Sequence, residues 1–200
     1  MRPDSSPSDP DPWGVFNIWM AEAQVNPLFN PETVALATVS VDDHKPSLRM
    51  VYYRGIREGG LSFFTNFDSK KGTQILENPQ AALLFYWPHL GRQLRVEGYV
   101  ARLSCETSNN YFIKRPRESQ ITAWVSKQSR RLRSFTRFEN ELRDFARIND
   151  GEELSRPPHW GGYKLDPDLF EFWSGQSHRR HKRTQFRKLK DGWMSHLLYP

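Results

Sequence analysis

The chain has 200 residues, with 29 Lys+Arg against 23 Asp+Glu and a formal charge of +6, a balance that favours anionic partners without naming one. Aromatic residues make up 14% of it, which excludes a disordered polyelectrolyte and leaves enough material for one ordinary core. The single cysteine, Cys105, excludes an intrachain disulfide; no apolar run reaches the length of a bilayer span, and MRPDSSPSDPDP lacks a signal-peptide core, so a cytoplasmic protein with no membrane partner is expected.

Residues 1–10, rich in Pro, Ser and Asp, read as a disordered arm. Asp11-Pro12 is a cap followed by an N1 proline, and it predicts a helix with Trp13, Phe16, Trp19, Met20 and Ala23 on one face. Strand patterns follow at Thr33–Ser40, Leu48–Tyr53, Leu61–Thr65, Ala81–Trp87 and Gln93–Arg102, separated by Asp42-Asp43, Gly59-Gly60, Asn78-Pro79 and Gly91. A short helix fits between Ser69, as cap, and Glu77. Ser104 caps a second helix ending before Pro116, and Ser119 a third through Ile121, Trp124 and Val125. Phe135, Phe138, Leu142, Phe145 and Ile148 stripe a fourth, which reads as packing. Cys105 reads as a buried structural thiol. After a loop at Asp150–Pro158, strands are expected at Tyr163–Leu165, Leu169–Ser174 and Thr184–Leu189, then a closing segment from Trp193 to Pro200. Many strands at short spacing with few helices between them predict a mainly β chain with flanking helices (α+β), built as an antiparallel barrel.

Several chemistries have no motif here. There is no G-x-G-x-x-G after a strand, no P-loop and no G-x-S-x-G elbow, and the histidines lack metal-ligand spacing. Cations instead recur beside aromatics. Arg49 and Arg54 bracket the strand RMVYYR. Phe63–Gly72, FFTNFDSKKG, ends a strand at a helix start, where free N–H groups, the helix dipole and Lys70-Lys71 suit a phosphate; a solvated surface pair is the plainer reading. Gln93 in RQLRVE either hydrogen-bonds a planar heterocycle or faces water. Tyr111 and Arg115 stand four apart, on one face if helical, and with Ser119 they offer a hydroxyl–guanidinium–hydroxyl set for a second phosphate.

The tail, FEFWSGQSHRRHKR, runs an aromatic strand past Gly175 into arginines and histidines. In an extended chain Arg179, His181 and Arg183 share one face, and His178, Arg180 and Lys182 the other. Two fixed cations around an imidazole, beside Trp173, suit a small aromatic anion whose protons must move. The same run also suits nucleic acid, a reading that leaves the upstream motifs unexplained.

Eight segments in order, RMVYYRG, FFTNFDSKKG, NPQAALLFYW, RQLRVEG, YFIKRPRESQITAWVSKQS, PPHWGGY, FEFWSG and R-x-H-x-R, resemble the pyridoxine 5′-phosphate oxidase family over residues 11–200. The resemblance implies one FMN-binding split β-barrel domain over 11–200, homodimeric, with FMN at the subunit interface and no nucleic acid as partner. It implies a vitamin B6 enzyme that converts pyridoxine 5′-phosphate or pyridoxamine 5′-phosphate to pyridoxal 5′-phosphate, with O2 as acceptor. FMN contacts would be Arg49, Met50, Val51, Tyr52, Phe64, Thr65, Lys70, Lys71, Gln93, Gln128, Ser129, Trp173 and Arg183. The substrate phosphate would meet Arg54, Tyr111, Arg115 and Ser119, and Arg179 and His181 would lie against the ring and the carbon oxidised. The family's lysine is Arg54 here, its S-R-K-G is Ser69-Lys-Lys-Gly72, its F-W-Q-G is Phe172-Trp-Ser-Gly175, and its R-L-H-D-R is Arg179-Arg-His-Lys-Arg183. On the alternation argument the two tail changes fall on the face away from Arg179 and His181, so the chemistry is expected to survive them.

Overall fold

The computed structural model describes residues 11–200, and the arm expected at 1–10 lies outside them. The first element forms where its cap predicts. The Asp11 carboxylate accepts the Trp13 N–H at 3.2 Å, Pro12 occupies the first turn, and α1 runs Pro12–Gln24. Phe16, Met20 and Ala23 form its buried face. The Phe16 ring meets Tyr53 and Phe85 edge-on, while Trp19 meets Trp87 and Phe172. A fully buried Phe of this kind contributes about 2–3 kcal/mol.

Nine antiparallel strands follow: β1 (Thr33–Val39), β2 (Pro46–Tyr52), β3 (Ile56–Arg57), β4 (Gly60–Asn66), β5 (Gln80–Trp87), β6 (Arg92–Arg102), β7 (Trp160–Ser174), β8 (Lys182–Leu189) and β9 (Gly192–Leu198). Their order is β2-β1-β5-β6-β7-β4-β3, with β8 on β7 and β9 on β8. Beyond β2 the chain closes the path onto β4: the Arg54 N–H donates to Ser62 O at 2.7 Å, and the Ser62 N–H to Gly55 O at 3.0 Å. The expected antiparallel barrel with flanking helices is what forms.

The two strands expected at 163–165 and 169–174 are a single strand of 15 residues. The register of β6 against β7 slips between Glu97 and Gly98, and Pro167 stands opposite Gly98, so the missing N–H falls at the bulge. A Cβ on Gly98 would lie 2.1 Å from Asp166 O, so only glycine fits there. The bulge also lets β7 change partner, with residues 160–165 pairing β4 and residues 169–174 pairing β8. Strand β3 has no counterpart among the sequence patterns. It is two residues long, held by a turn with Glu58 and Gly59 both at positive φ.

Helices α2 (Lys70–Glu77), α3 (Cys105–Phe112), α4 (Arg117–Val125) and α5 (Phe135–Ile148) flank the sheet. Ser69 and Ser104 cap as expected, accepting Gly72 N–H at 3.3 Å and Thr107 N–H at 3.1 Å. Ser119 does not cap. Pro116, with φ of −52°, starts α4 and accepts the Ser119 N–H at 2.9 Å, which leaves the Ser119 hydroxyl free. Cys105 is exposed at the first turn of α3, not buried. The α5 stripe packs only in part: Leu142 and Phe145 join a second core around Phe112, Ile121, Ala123, Leu154 and Trp160, whereas Phe135 and Ile148 are 67% and 72% exposed.

Candidate functional site

A cavity of about 1090 Å³ opens between β2, the end of β4, the start of α2 and the α3–α4 connection. Arg49, Met50, Val51, Tyr52, Arg54, Phe64, Thr65, Lys70, Lys71, Tyr111, Arg115, Ser119, Gln128 and Ser129 all line it, so the structure brings together most of the residues singled out from the sequence. The alternation of β2 turns Leu48, Met50 and Tyr52 outward, at 71%, 60% and 53% exposure, and leaves Arg49 and Val51 half-buried. Two adjacent lysines divide at the α2 N-terminus. Lys70 is exposed, and Lys71 is buried.

Among the described residues, no carboxylate pairs with Lys71. Its ammonium donates to Thr65 Oγ1 and Gln128 Oε1, both at 3.1 Å, and to Ser69 Oγ at 3.4 Å. Burial, then the nearby Arg49 guanidinium, pushes the Lys71 pKa down to about 8. Arg49 donates to Thr38 Oγ1 at 2.7 Å and Leu36 O at 3.1 Å, and burial lowers its pKa also. Gln74, itself buried, receives Thr38 Oγ1 at 2.7 Å and so braces Arg49 from behind. Two partly desolvated cations, Lys71 at the start of α2 and Arg49 on β2, satisfied among the described residues only by neutral oxygens, are suited to a dianion.

A second cationic group lines the same cavity. The Phe64 and Tyr111 rings stack at 3.7 Å and 9°, with Trp160 nearly parallel at 5.6 Å from Phe64. The Arg115 guanidinium lies 4.4 Å over the Trp160 ring, and its buried NH1 has no hydrogen-bond partner. Burial lowers the Arg115 pKa, against a smaller opposing effect of Tyr111. Arg115 lies past the end of α3, with its N–H on Phe112 O at 3.1 Å, so it and Tyr111 meet through a turn and not along one helical face. Arg54 differs, because its NH1 is already paired with Glu32 at 2.7 Å. Glu32, Gln74, Asn66 and Trp160 join the site without a sequence signal, because nothing in their spacing sets them apart from loop or core residues.

Gln93, Trp173, Arg183, Arg179 and His181 do not line this cavity. The first three form one row across β6, β7 and β8, with Gln93 opposite Trp173 and Trp173 opposite Arg183. The His181 ring lies 4.6 Å from Trp173, and its Nδ1 accepts the Gln176 N–H at 3.2 Å, which leaves the ring proton on Nε2. The alternation expected for the tail does not hold. Residues 177–179 form a 3₁₀ turn, and His178 and Arg179 have φ of 56° and 61°, so faces alternate only from Lys182 onward. Arg179 therefore owes its place to the turn, and the claim that Arg180 and Lys182 face away from it has no basis in a strand.

Residues 20–147 match the family described as Pyridoxamine 5′-phosphate oxidase, and residues 160–200 match the Pyridoxine 5′-phosphate oxidase C-terminal dimerisation region. A pyridoxine/pyridoxamine 5′-phosphate oxidase of Sphingopyxis alaskensis is 43% identical over 190 residues, covering 95% of this chain and 88% of that protein. One of Paraburkholderia phymatum is 46% identical over 183 residues, covering 92% and 85%. Among solved structures, PhzG of Burkholderia lata in complex with tetrahydrophenazine-1-carboxylic acid superposes with a TM-score of 0.89 at 27% identity, covering 100% of this chain and 98% of that one. A pyridoxamine 5′-phosphate oxidase-related, FMN binding protein of Nostoc punctiforme shares the fold, with a TM-score of 0.75 at 19% identity, covering 96% and 100%. By its sequence from Met20 through the C-terminal strands, and by its barrel, the chain belongs to the pyridoxamine 5′-phosphate oxidase family.

Proposed function

We propose that the chain is an FMN-dependent oxidase of pyridoxine 5′-phosphate or pyridoxamine 5′-phosphate, working as a homodimer. The observation that carries this reading is one cavity lined by two cationic groups, Lys71 with Arg49, and Arg115 with its unpartnered NH1. Two phosphorylated molecules would account for both groups, and the residues fit FMN at the first. When bound, FMN would supply the hydride acceptor and the route of electrons to O2, giving H2O2, with NH3 from the amine substrate.

The chain's own residues bind and orient. Lys71, Arg49 and the α2 N-terminus would hold the cofactor phosphate, with Thr65, Gln128 and Ser129 around it. Arg115, Tyr111 and Ser119 would fix the substrate phosphate, with Arg54 held at its edge by Glu32. A ring fixed by its phosphate is fixed at its reacting carbon, so much of the rate enhancement is positioning. His181, with its proton on Nε2, would donate to the substrate ring beside Trp173. The row Gln93–Trp173–Arg183 would come from the partner copy, which is consistent with the match to a dimerisation region and with the exposed Leu48, Met50 and Tyr52.

A second reading is a flavin oxidoreductase acting on another substrate, favoured by the likeness to PhzG, whose complex holds a carboxylic acid. The two are separated by a flavin absorption spectrum of the purified protein, followed by anaerobic addition of pyridoxine 5′-phosphate. Bleaching of the oxidised flavin is expected. Oxidised flavin that persists under saturating substrate, while a substrate without phosphate bleaches it, sinks the first reading.

A further inference from the structure

The row beneath Gln93, Trp173 and Arg183 is Arg95, Glu171 and Gln185, paired strand to strand in the same register. The Glu171 side chain is only 7% exposed and both its oxygens are engaged. Oε2 receives Arg95 NH2 at 2.7 Å, and Oε1 receives Arg183 Nε at 2.9 Å and NH2 at 2.8 Å. Arg183 NH1 donates to Tyr199 O at 3.0 Å. Arg95 is shared in turn with Glu97 at 3.0 Å. The four side chains hold two positive and two negative charges, so Arg183 is oriented along both edges of its guanidinium and its charge is balanced before any ligand arrives.

We propose that Glu171 is a positioning residue that sets the electrostatics of the flavin site through Arg183. This rests on the reading that Arg183 lies against FMN. A carboxylate buried this far contacts no ligand itself. It fixes the direction in which Arg183 presents its remaining N–H bonds, and it cancels the one positive charge that Glu97 leaves unbalanced in the cluster. Reduction adds negative charge to the flavin, so an uncancelled cation nearby favours the reduced form. Removing the carboxylate therefore raises the flavin midpoint potential, and removing Arg95, which leaves the carboxylate in excess, lowers it.

The test measures the midpoint potential of bound FMN in the wild type, Glu171→Gln and Arg95→Met by dye-linked anaerobic reduction. Glu171→Gln is expected to favour reduced over oxidised flavin by about tenfold, which for a two-electron couple is about 30 mV upward. Arg95→Met is expected to shift in the opposite direction. A residue that merely braces the sheet would lower thermal stability in both variants without opposite shifts, and equal or absent shifts overturn the proposal. If Glu171→Gln does not fold, the half-exposed Arg95 decides alone, and no downward shift in Arg95→Met overturns it. Wild-type protein that takes up no FMN sinks the functional reading itself, a result distinct from bound FMN with unmoved potentials.

Discussion

Raising the pH across the Lys71 titration is a direct probe of the first anion subsite. Lys71 titrates near 8 in the ligand-free protein because burial, and then Arg49, disfavour its charge, against an ordinary value of 10.5. A phosphate dianion beside it reverses that shift, so the complex keeps the proton to higher pH than the free protein does. FMN has lost its second phosphate proton well below neutrality, so between pH 7 and 9 Lys71 is the titrating group of the pair. With a free-protein pKa of about 8 and a complexed value at or above the ordinary one, affinity is expected to fall about tenfold from pH 7 to pH 9. Stability of the apoprotein moves the other way. The unfolded chain holds the Lys71 proton up to 10.5 while the folded chain releases it near 8, so folding gains as pH rises through that window. The assay is quenching of flavin fluorescence by apoprotein at constant ionic strength, with riboflavin as the ligand that lacks the phosphate. Lys71→Met should bind FMN weakly and without the fall. A flat wild-type profile, or the same fall in Lys71→Met or with riboflavin, refutes the argument.

Arg115→Met should leave the melting temperature of the apoprotein unchanged or higher, because it replaces a buried cation lacking a partner on NH1 by an apolar chain. The same variant should raise KM for pyridoxine 5′-phosphate at least about tenfold; a lower melting temperature with unchanged KM contradicts this. Gly72→Ala should cost more than about 2 kcal/mol in urea unfolding, since its Cβ would fall 2.0 Å from Phe67 O at the turn that feeds α2. FMN affinity should fall with it, and a variant as stable as wild type would mean the α2 N-terminus shifts freely.

The parts of the fold visible in the sequence are those set by local chemistry. Asp11, Ser69 and Ser104 cap helices because a side-chain oxygen reaches an N–H two or three residues on, wherever the rest of the chain lies. Ser119 misled because Pro116 stands three residues earlier and starts the helix by its fixed φ, with no side-chain cap. Pro167 falls between the two strands expected at 163–165 and 169–174, and the opposed Gly98 makes it part of a bulge within one strand. The α5 stripe announces an amphipathic helix but says nothing of how much surface there is to cover it. The tail failed for a different reason. Alternation needs extended backbone, and two successive non-glycine residues in the left-handed region, His178 and Arg179, have no signature in residue type. Most of the cavity lining was legible through motif resemblance, while the partners Gln74, Glu32 and Glu171 were not, because each depends on pairing across distant strands or loops.

That support divides the cations at the proposed sites into two kinds. Arg54 and Arg183 are paired with carboxylates, on Glu32 and Glu171. Among the described residues, Lys71 and Arg49 have only neutral acceptors, and Arg115 NH1 has none. A buried cation without an anion costs folding free energy, and the depressed pKa of all three registers that cost. A paired cation gives directed hydrogen bonds with little net field, whereas an unpaired one gives field and is relieved only when an anion arrives. Net positive field is needed where a phosphate dianion must be held, the role proposed for Lys71 and Arg115. Where electrons enter and leave a ring reversibly, a large fixed field would trap one redox state, and at the proposed flavin face two carboxylates, Glu97 and Glu171, balance the arginines. With Arg54 the exception, paired with Glu32 at the proposed substrate phosphate, the distribution of acids would separate holding from chemistry more sharply than the basic residues themselves do.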